Sequence, residues 1–193
     1  MDDLALLRDF VAGDRNAFRE LMARHHDAVL QVARYYASEH YEDVAQETWL
    51  AVCREADKFQ GRSSFKTWLL TICSNRARSM GYHESKYLSI DLQEAVSADR
   101  FSDGGAWLAP PAPFSEILAD QDERAAVLRV IHVAIEELRD PTRAVVTLRD
   151  VEGLDTREVA EVLQLTEANV RVLLHRGRAH IRNAVEEWRG GVN

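Results

Sequence analysis

Apolar residues recur along this chain mainly at three- and four-residue intervals, and strand-like alternation is scarce, so the pattern predicts an all-α protein. Leu4 to Val11 and Ala17 to Ala37 read as amphipathic helices joined at Gly13-Asp14. Phe18, Leu21, Met22, Val29, Leu30, Val32, Ala33 and Tyr36 give the second a broad apolar face. Glu39 to Ala56 follows, with an apolar stripe of Val44, Leu50, Ala51 and Cys53, Trp49 nearby, and a polar side of Asp43, Gln46 and Glu47. Asp57 to Ser64 interrupts the periodicity as a loop: Gly61 permits unusual backbone angles, and Ser63 and Ser64 can cap what comes next. Phe65, Trp68, Leu69 and Ile72 then mark one face of a further helix. These helices are expected to bundle into a domain of residues 1–86.

From Tyr87 to Asp122 the pattern breaks down, interrupted by Gly104-Gly105, Pro110-Pro111 and Pro113, which predicts a linker over 87–122. Helical periodicity resumes through Val127, Val130, Ile131, Ala134, Ile135 and Leu138 and opens a second domain over 123–193. Pro141 suits a helix start, and Gly153 ends a short helix from Thr142 to Val151. Asp155 and Glu158 have capping-box spacing ahead of Val159, Ala160, Val162 and Leu163. Gln164-Leu165-Thr166 reads as a tight turn, after which Val170, Leu173, Leu174, Gly177 and Ile181 face inward. Ala168, Arg171, Val172 and His175 face outward, with Arg176 on the flank and Ala179 and Arg182 further along. A short helix, a tight turn and a helix with small and basic residues at its exposed start describe a helix-turn-helix.

Composition narrows the class. The 193 residues are 46% hydrophobic, enough for a core, and no apolar run approaches the length of a membrane span. With no signal peptide at the start, the chain is expected to be cytoplasmic and not inserted in a membrane. Cys53 and Cys73 lack ligand-like spacing and read as buried free thiols. The net charge of −8 argues at first against nucleic acid. Its distribution changes that: residues 1–53 carry −5, 54–86 carry +4, 87–122 carry −6, 123–165 carry −3 and 166–193 carry +2. Two basic islands in an acidic chain predict weak DNA binding alone and better binding once a partner uses the acidic parts.

The stretch from Asp57 to Met80 carries the sharpest chemistry. Lys58, Arg62, Lys66, Arg76 and Arg78 surround Phe59, Phe65 and Trp68. Cations track phosphates and aromatic faces stack on bases, so the segment suits single-stranded nucleic acid. Periodicity alone equally allows the aromatics to be core and the cations to be a solvated face.

With both motifs in one order, the chain resembles the extracytoplasmic-function, or group 4, sigma factors of bacterial RNA polymerase. Asp43-Val44-Ala45-Gln46-Glu47-Thr48-Trp49 and Phe59-Gln60-Gly61-Arg62-Ser63-Ser64-Phe65-Lys66-Thr67-Trp68-Leu69 look like sigma region 2. Leu138-Arg139-Asp140-Pro141, Asp155-Thr156-Arg157-Glu158-Val159-Ala160 and Asn169-Val170-Arg171-Val172-Leu173-Leu174-His175-Arg176-Gly177-Arg178 look like region 4. No segment fits region 3, as group 4 implies. The resemblance implies that Asp43, Gln46 and Glu47 dock on the β′ coiled coil of core polymerase. It implies that the loop of Lys58, Phe59, Gln60, Gly61, Arg62, Ser63 and Ser64 takes an extruded base of the −10 element. Lys66, Asn75, Arg76 and Arg78 would hold the unpaired strand, while Trp68 anchors the helix. Ala168, Arg171, Val172, His175, Arg176 and Arg178 would read the −35 element, with Arg178 or Arg182 on phosphates and the surrounding domain on the β flap. At Leu173 the family often has a basic residue, so that position is set aside. The acidic linker would occupy basic polymerase surfaces, and an anti-sigma factor is a possible further partner. No catalysis, cofactor or metal is implied.

Two other readings compete. A helix-turn-helix regulator would bind duplex DNA unaided, but it leaves 57–80 without a role. A helical metalloenzyme would use His40, Asp43 and Glu47 with His25 and His26.

Overall fold

The computed structural model describes residues 2–81 and 124–191. The expected boundary near Lys86, the linker over 87–122 and the role given to its acidic charge lie outside them. Among the described residues there are helices and no strands. The chain divides into two compact units, one containing α1–α4 and the other nearly all of α5–α8, in the numbering that follows.

In the first unit, α1 spans Asp3–Val11, α2 Arg15–Tyr36, α3 Tyr41–Glu55 and α4 Phe65–Ser79, with a 3₁₀ turn at Ala56–Lys58 between the last two. Short polar side chains start α1, α2 and α4. Asp2 accepts from the Ala5 N–H at 2.7 Å, Asp14 from Asn16 at 2.8 Å and the Ser64 hydroxyl from Thr67 at 3.0 Å. Each satisfies an N–H that the helix itself cannot, and each such cap is worth about 1 kcal/mol. Helix α2 packs on α1, α3 and α4, and α4 also packs on α3. Leu21, Val29, Val32, Val44, Val52, Phe65, Leu69, Leu70 and Cys73 fill the centre. Helix α1 is tied down by Asp3, which pairs with Arg24 at 3.1 Å and with His25 Nε2 at 2.7 Å.

The expected stripe of α3 is corrected. Val44 and Ala51 are buried, and so is Trp49, but Leu50 and Cys53 are exposed. They lie on the side of α3 turned to Phe18, Met22 and Leu30 of α2, where the two helices leave an open groove instead of closing. Cys53 is therefore not the buried thiol its apolar neighbours suggested. Cys73 is buried, its thiol donating weakly to the Val29 carbonyl at 3.6 Å, and burial pushes that thiol up to about 12.

In the second unit, α5 spans Arg124–Glu137, α6 Asp140–Val146, α7 Thr156–Leu163 and α8 Glu167–Gly191. Pro141 sits in the first turn of α6, and α6 continues through a π-turn over Thr147–Val151 that the periodicity did not disclose. Helix α8 packs along α5 and α6. That approach is possible because Gly177 has no side chain: a Cβ there would meet Val146 Cγ2 at 2.3 Å and Thr142 Cγ2 at 3.0 Å. Val127, Ile131, Val145, Leu148, Val159, Val170, Ile181 and Val185 are buried around it.

Candidate nucleic-acid interface

The loop after α3 is held at both ends. The 3₁₀ turn buries Ala56 behind it, and the Ser64 cap, with the Ser64 and Thr67 hydroxyls 2.7 Å apart, fixes where α4 starts. Gly61 takes φ +67°, a left-handed angle that favours glycine. Lys58, Gln60, Arg62, Ser63 and Ser64 are exposed. Phe59 is half-buried, its ring 5.0 Å from that of Trp68 and 6.4 Å from that of Phe65. Trp68 is half-buried as well, 5.9 Å from Phe65. Phe65 is therefore core, and Phe59 and Trp68 form a half-buried layer against it, beside an exposed, cationic loop.

Further along α4 the cations have partners. Arg76 pairs with Glu55 at 3.0 Å, while Arg78 bonds the Asn75 side chain and the Ser74 carbonyl. Asn75 is exposed, Lys66, Arg76 and Arg78 half-buried. The structure therefore brings together the loop residues and Lys66 at the top of α4, with Asn75, Arg76 and Arg78 two to three turns below.

On α3, Asp43 and Gln46 are exposed and Glu47 is half-buried, paired with Arg54 at 3.6 Å. Gln46 also lines the α2–α3 groove of about 620 Å³, whose walls include Phe18, Met22, Leu30, Trp49 and Leu50. Sequence reasoning missed this groove. Its signal is present in Phe18, Met22 and Leu30 of the apolar face of α2, but periodicity reports apolarity and not closure. The residues of the metalloenzyme reading do not converge. His25 is engaged by Asp3, the Trp49 N–H donates to His26 Nδ1 at 3.3 Å, and His40 stands 3.8 Å from Asp43. Among the described residues no cluster of His, Cys, Asp and Glu could hold a metal.

In the second unit the capping box forms as a reciprocal pair: the Asp155 N–H donates to Glu158 and the Glu158 N–H to Asp155, both at 2.8 Å. The turn between α7 and α8 uses Gln164 at φ +55°, and Thr166 accepts from the Asn169 N–H at 3.2 Å. At the start of α8, Ala168 is exposed, and Arg171, Val172, His175 and Arg176 are half-buried. Arg171 pairs with Glu167 at 2.7 Å. Leu173 is only 3% exposed, on the inward arc assigned to it. Arg178, expected beside them, turns its guanidinium inward to Asp150, Nε to Oδ2 at 2.8 Å. Arg182 remains half-buried further along.

The geometry thus pairs a cationic loop on a helical bundle with a helix-turn-helix, and comparison with known proteins identifies the combination. Residues 21–80 match the model for sigma-70 region 2 and residues 128–181 match that for sigma-70 region 4. Between them the matches cover more than half of the chain, which belongs to the sigma-70 family as a sigma factor of the extracytoplasmic-function type. The chain is 29% identical to the ECF RNA polymerase sigma-E factors of Salmonella typhimurium and Escherichia coli over 96% of its length and 95% of theirs. It is 27% identical to that of Haemophilus influenzae over 96% of both chains. Among solved structures it is similar to CnrH in complex with the cytosolic domain of CnrY, at 24% identity and TM-score 0.49 over 96% of this chain and 97% of that one. It is also similar to RpoE in complex with the anti-sigma factor NepR from Bartonella quintana, at 19% identity and TM-score 0.49 over 88% and 96%. Proteins of this family direct transcription initiation with core RNA polymerase on promoter DNA, and they are not enzymes. Among the described residues, no helix is long and apolar enough to cross a membrane.

Proposed function

We propose that residues 1–86 bind core polymerase and open the −10 element, that residues 123–193 read the −35 element, and that residues 87–122 link the two. The observation that carries this reading is the loop Lys58–Ser64. Its polar and cationic side chains are all exposed, while its one aromatic, Phe59, is backed by Trp68 and Phe65. That is a platform for an unpaired base beside groups that attract phosphate. No bond is made or broken in such a step. Opening costs the stacking energy of the duplex, and capture of the freed strand offsets it. Lys66, Asn75, Arg76 and Arg78 continue the surface along α4, the last two after exchanging protein partners for phosphates.

Asp43, Gln46 and Glu47 meet the β′ coiled coil, and the apolar groove beside Gln46 gives that contact a hydrophobic centre to its charged rim. In the second unit, Ala168, Arg171, Val172, His175 and Arg176 lie along the arc of α8 that enters the major groove, and the unit rests on the β flap. Arg178 is assigned to holding α8 in place. The protein works in the cytoplasm, where its polymerase and promoters are.

The test is core-dependent transcription. Purified chain and sigma-free core polymerase are incubated with DNA of the source organism, and transcript 5′ ends are mapped. Discrete starts sharing two upstream elements, absent without the chain, support the reading. Absence of binding to core would overturn it, as would tight duplex binding by the chain alone.

A further inference from the structure

Helix α1 has no task in the reading above, and it precedes the residues 21–80 that match region 2. It nevertheless forms one wall of a second groove, of about 470 Å³, whose opposite wall is the −10 loop itself. Leu4, Arg8 and Val11 from α1 share this groove with Asp57, Phe59 and Gly61. Leu4 is 46% and Val11 50% exposed, an open apolar face, whereas Leu6 and Leu7 are buried and hold the helix in the bundle. The Asp3 pairs with Arg24 and His25 fix its first turn. This wall is therefore built and stationary.

Its chemistry points to one occupant. Arg8 offers only donors and Asp57 only acceptors, from opposite sides of an apolar floor that includes the half-buried Phe59. A nucleobase has an apolar face and an edge with both donors and acceptors. The exposed Lys58 and Arg62 beside the groove attract the phosphates on either side of such a base. The groove is also continuous with the loop that the function already commits to the unpaired strand.

We propose that α1 is half of the base-holding site: Leu4 and Val11 pack on a captured −10 base or its sugar, and Arg8 donates to the base edge, so that Arg8 helps set which base is accepted. This deepens the assignment of loop 57–64 to the −10 strand and rests on it.

The experiment uses holoenzyme assembled from core polymerase and the full chain, with single-stranded −10 probes in which each position is made abasic in turn. For the wild type, one position loses roughly tenfold in affinity when its base is removed. Arg8→Ala and Leu4→Gln, both at exposed positions, bind the intact probe correspondingly less well. Their penalty for the abasic position shrinks toward nothing, and Arg8→Ala flattens the base preference there. Arg8→Lys recovers part of the affinity. Helical content by circular dichroism and affinity for core polymerase stay at wild-type values. An unchanged abasic penalty in both variants would overturn the role of α1 while leaving the loop reading intact. Loss of core affinity in these variants would make the groove a protein contact and overturn the proposal. A wild type with no base-sensitive position would overturn the loop reading, and the proposal with it.

Discussion

Arg178 of α8 reaches back to Asp150 at the end of the α6 π-turn, Nε to Oδ2 at 2.8 Å with Nη2 on Oδ1, and the two side chains are only 15% and 9% exposed. A bidentate pair this sheltered fixes the middle of α8 against the end of the π-turn that follows α6. Removing one partner leaves a buried charge. Arg178→Ala is expected to lower the stability of the second unit by about 3 kcal/mol, read as the shift of its urea midpoint. The salt dependence of −35 binding should keep its slope, because no phosphate contact is lost. A slope reduced by about one would return Arg178 to the DNA.

Gly177 supports a second prediction. Its missing Cβ is where Val146 sits, 2.3 Å from the place a methyl would occupy, and Val146 is fully buried. Gly177→Ala should therefore cost about 1–3 kcal/mol despite the better helix propensity of alanine. Adding Val146→Ala should recover part of that loss. Independent, additive losses in the double variant would show that the two positions do not touch.

The loop and the cap make separable contributions. Ser64→Ala should destabilise the first unit by about 1 kcal/mol, seen in thermal unfolding, whereas Ser64→Asp should keep most of the cap. Lys58→Ala and Arg62→Ala should leave the melting temperature unchanged. Each should flatten the salt dependence of single-strand binding by about one unit or somewhat less. Melting temperatures that fall with the loop cations would place them in the bundle's own architecture.

The cysteines predict a contrast in reactivity and a pH dependence. Cys53 is exposed and should react with a thiol reagent in the native protein, while Cys73 should react only on unfolding. Burial raises the Cys73 thiol from 9.0 to about 12, so the unfolded chain ionises first. Its share of stability is complete below about pH 9 and is lost as the pH climbs toward 12, by roughly 1 kcal/mol per unit. Comparing Cys73→Ala with the wild type by urea unfolding at pH 8 and pH 10 isolates that slope. An identical slope in the variant would refute it.

Much of this was legible in the chain because it is local. The Ser64 and Thr166 caps, the Asp155–Glu158 box and the inward arc of Val170, Leu173, Leu174, Gly177 and Ile181 are set by residues within a few positions of each other, and periodicity reports them directly. What escaped depends on distant partners. Nothing near Arg178 reveals that Asp150, 28 positions earlier, faces it. Nothing near Leu50 and Cys53 reveals that Phe18 and Met22 stop short of covering them. The α1 wall escaped for the same reason, since Leu4 and Val11 look like any core residues until the loop they face is in place. Periodicity finds a helix's apolar side, and only the arrangement of its neighbours decides whether that side is filled, grooved or left open.

Helix α8 runs unbroken from Glu167 to Gly191, and at Gly177 its backbone lies directly against Val146 and Thr142 of α6. Ten residues separate that contact from the first turn, about 15 Å of rigid rod. The glycine thus acts as a fulcrum, with the side chains proposed to meet bases toward the end of the arm. A tilt of about 5° there would swing Ala168 and Arg171 sideways by about 1 Å over that length, as much as a hydrogen bond to a base edge tolerates. On the proposed reading of α8, the fidelity of −35 recognition is thereby delegated to a contact inside the protein's own core.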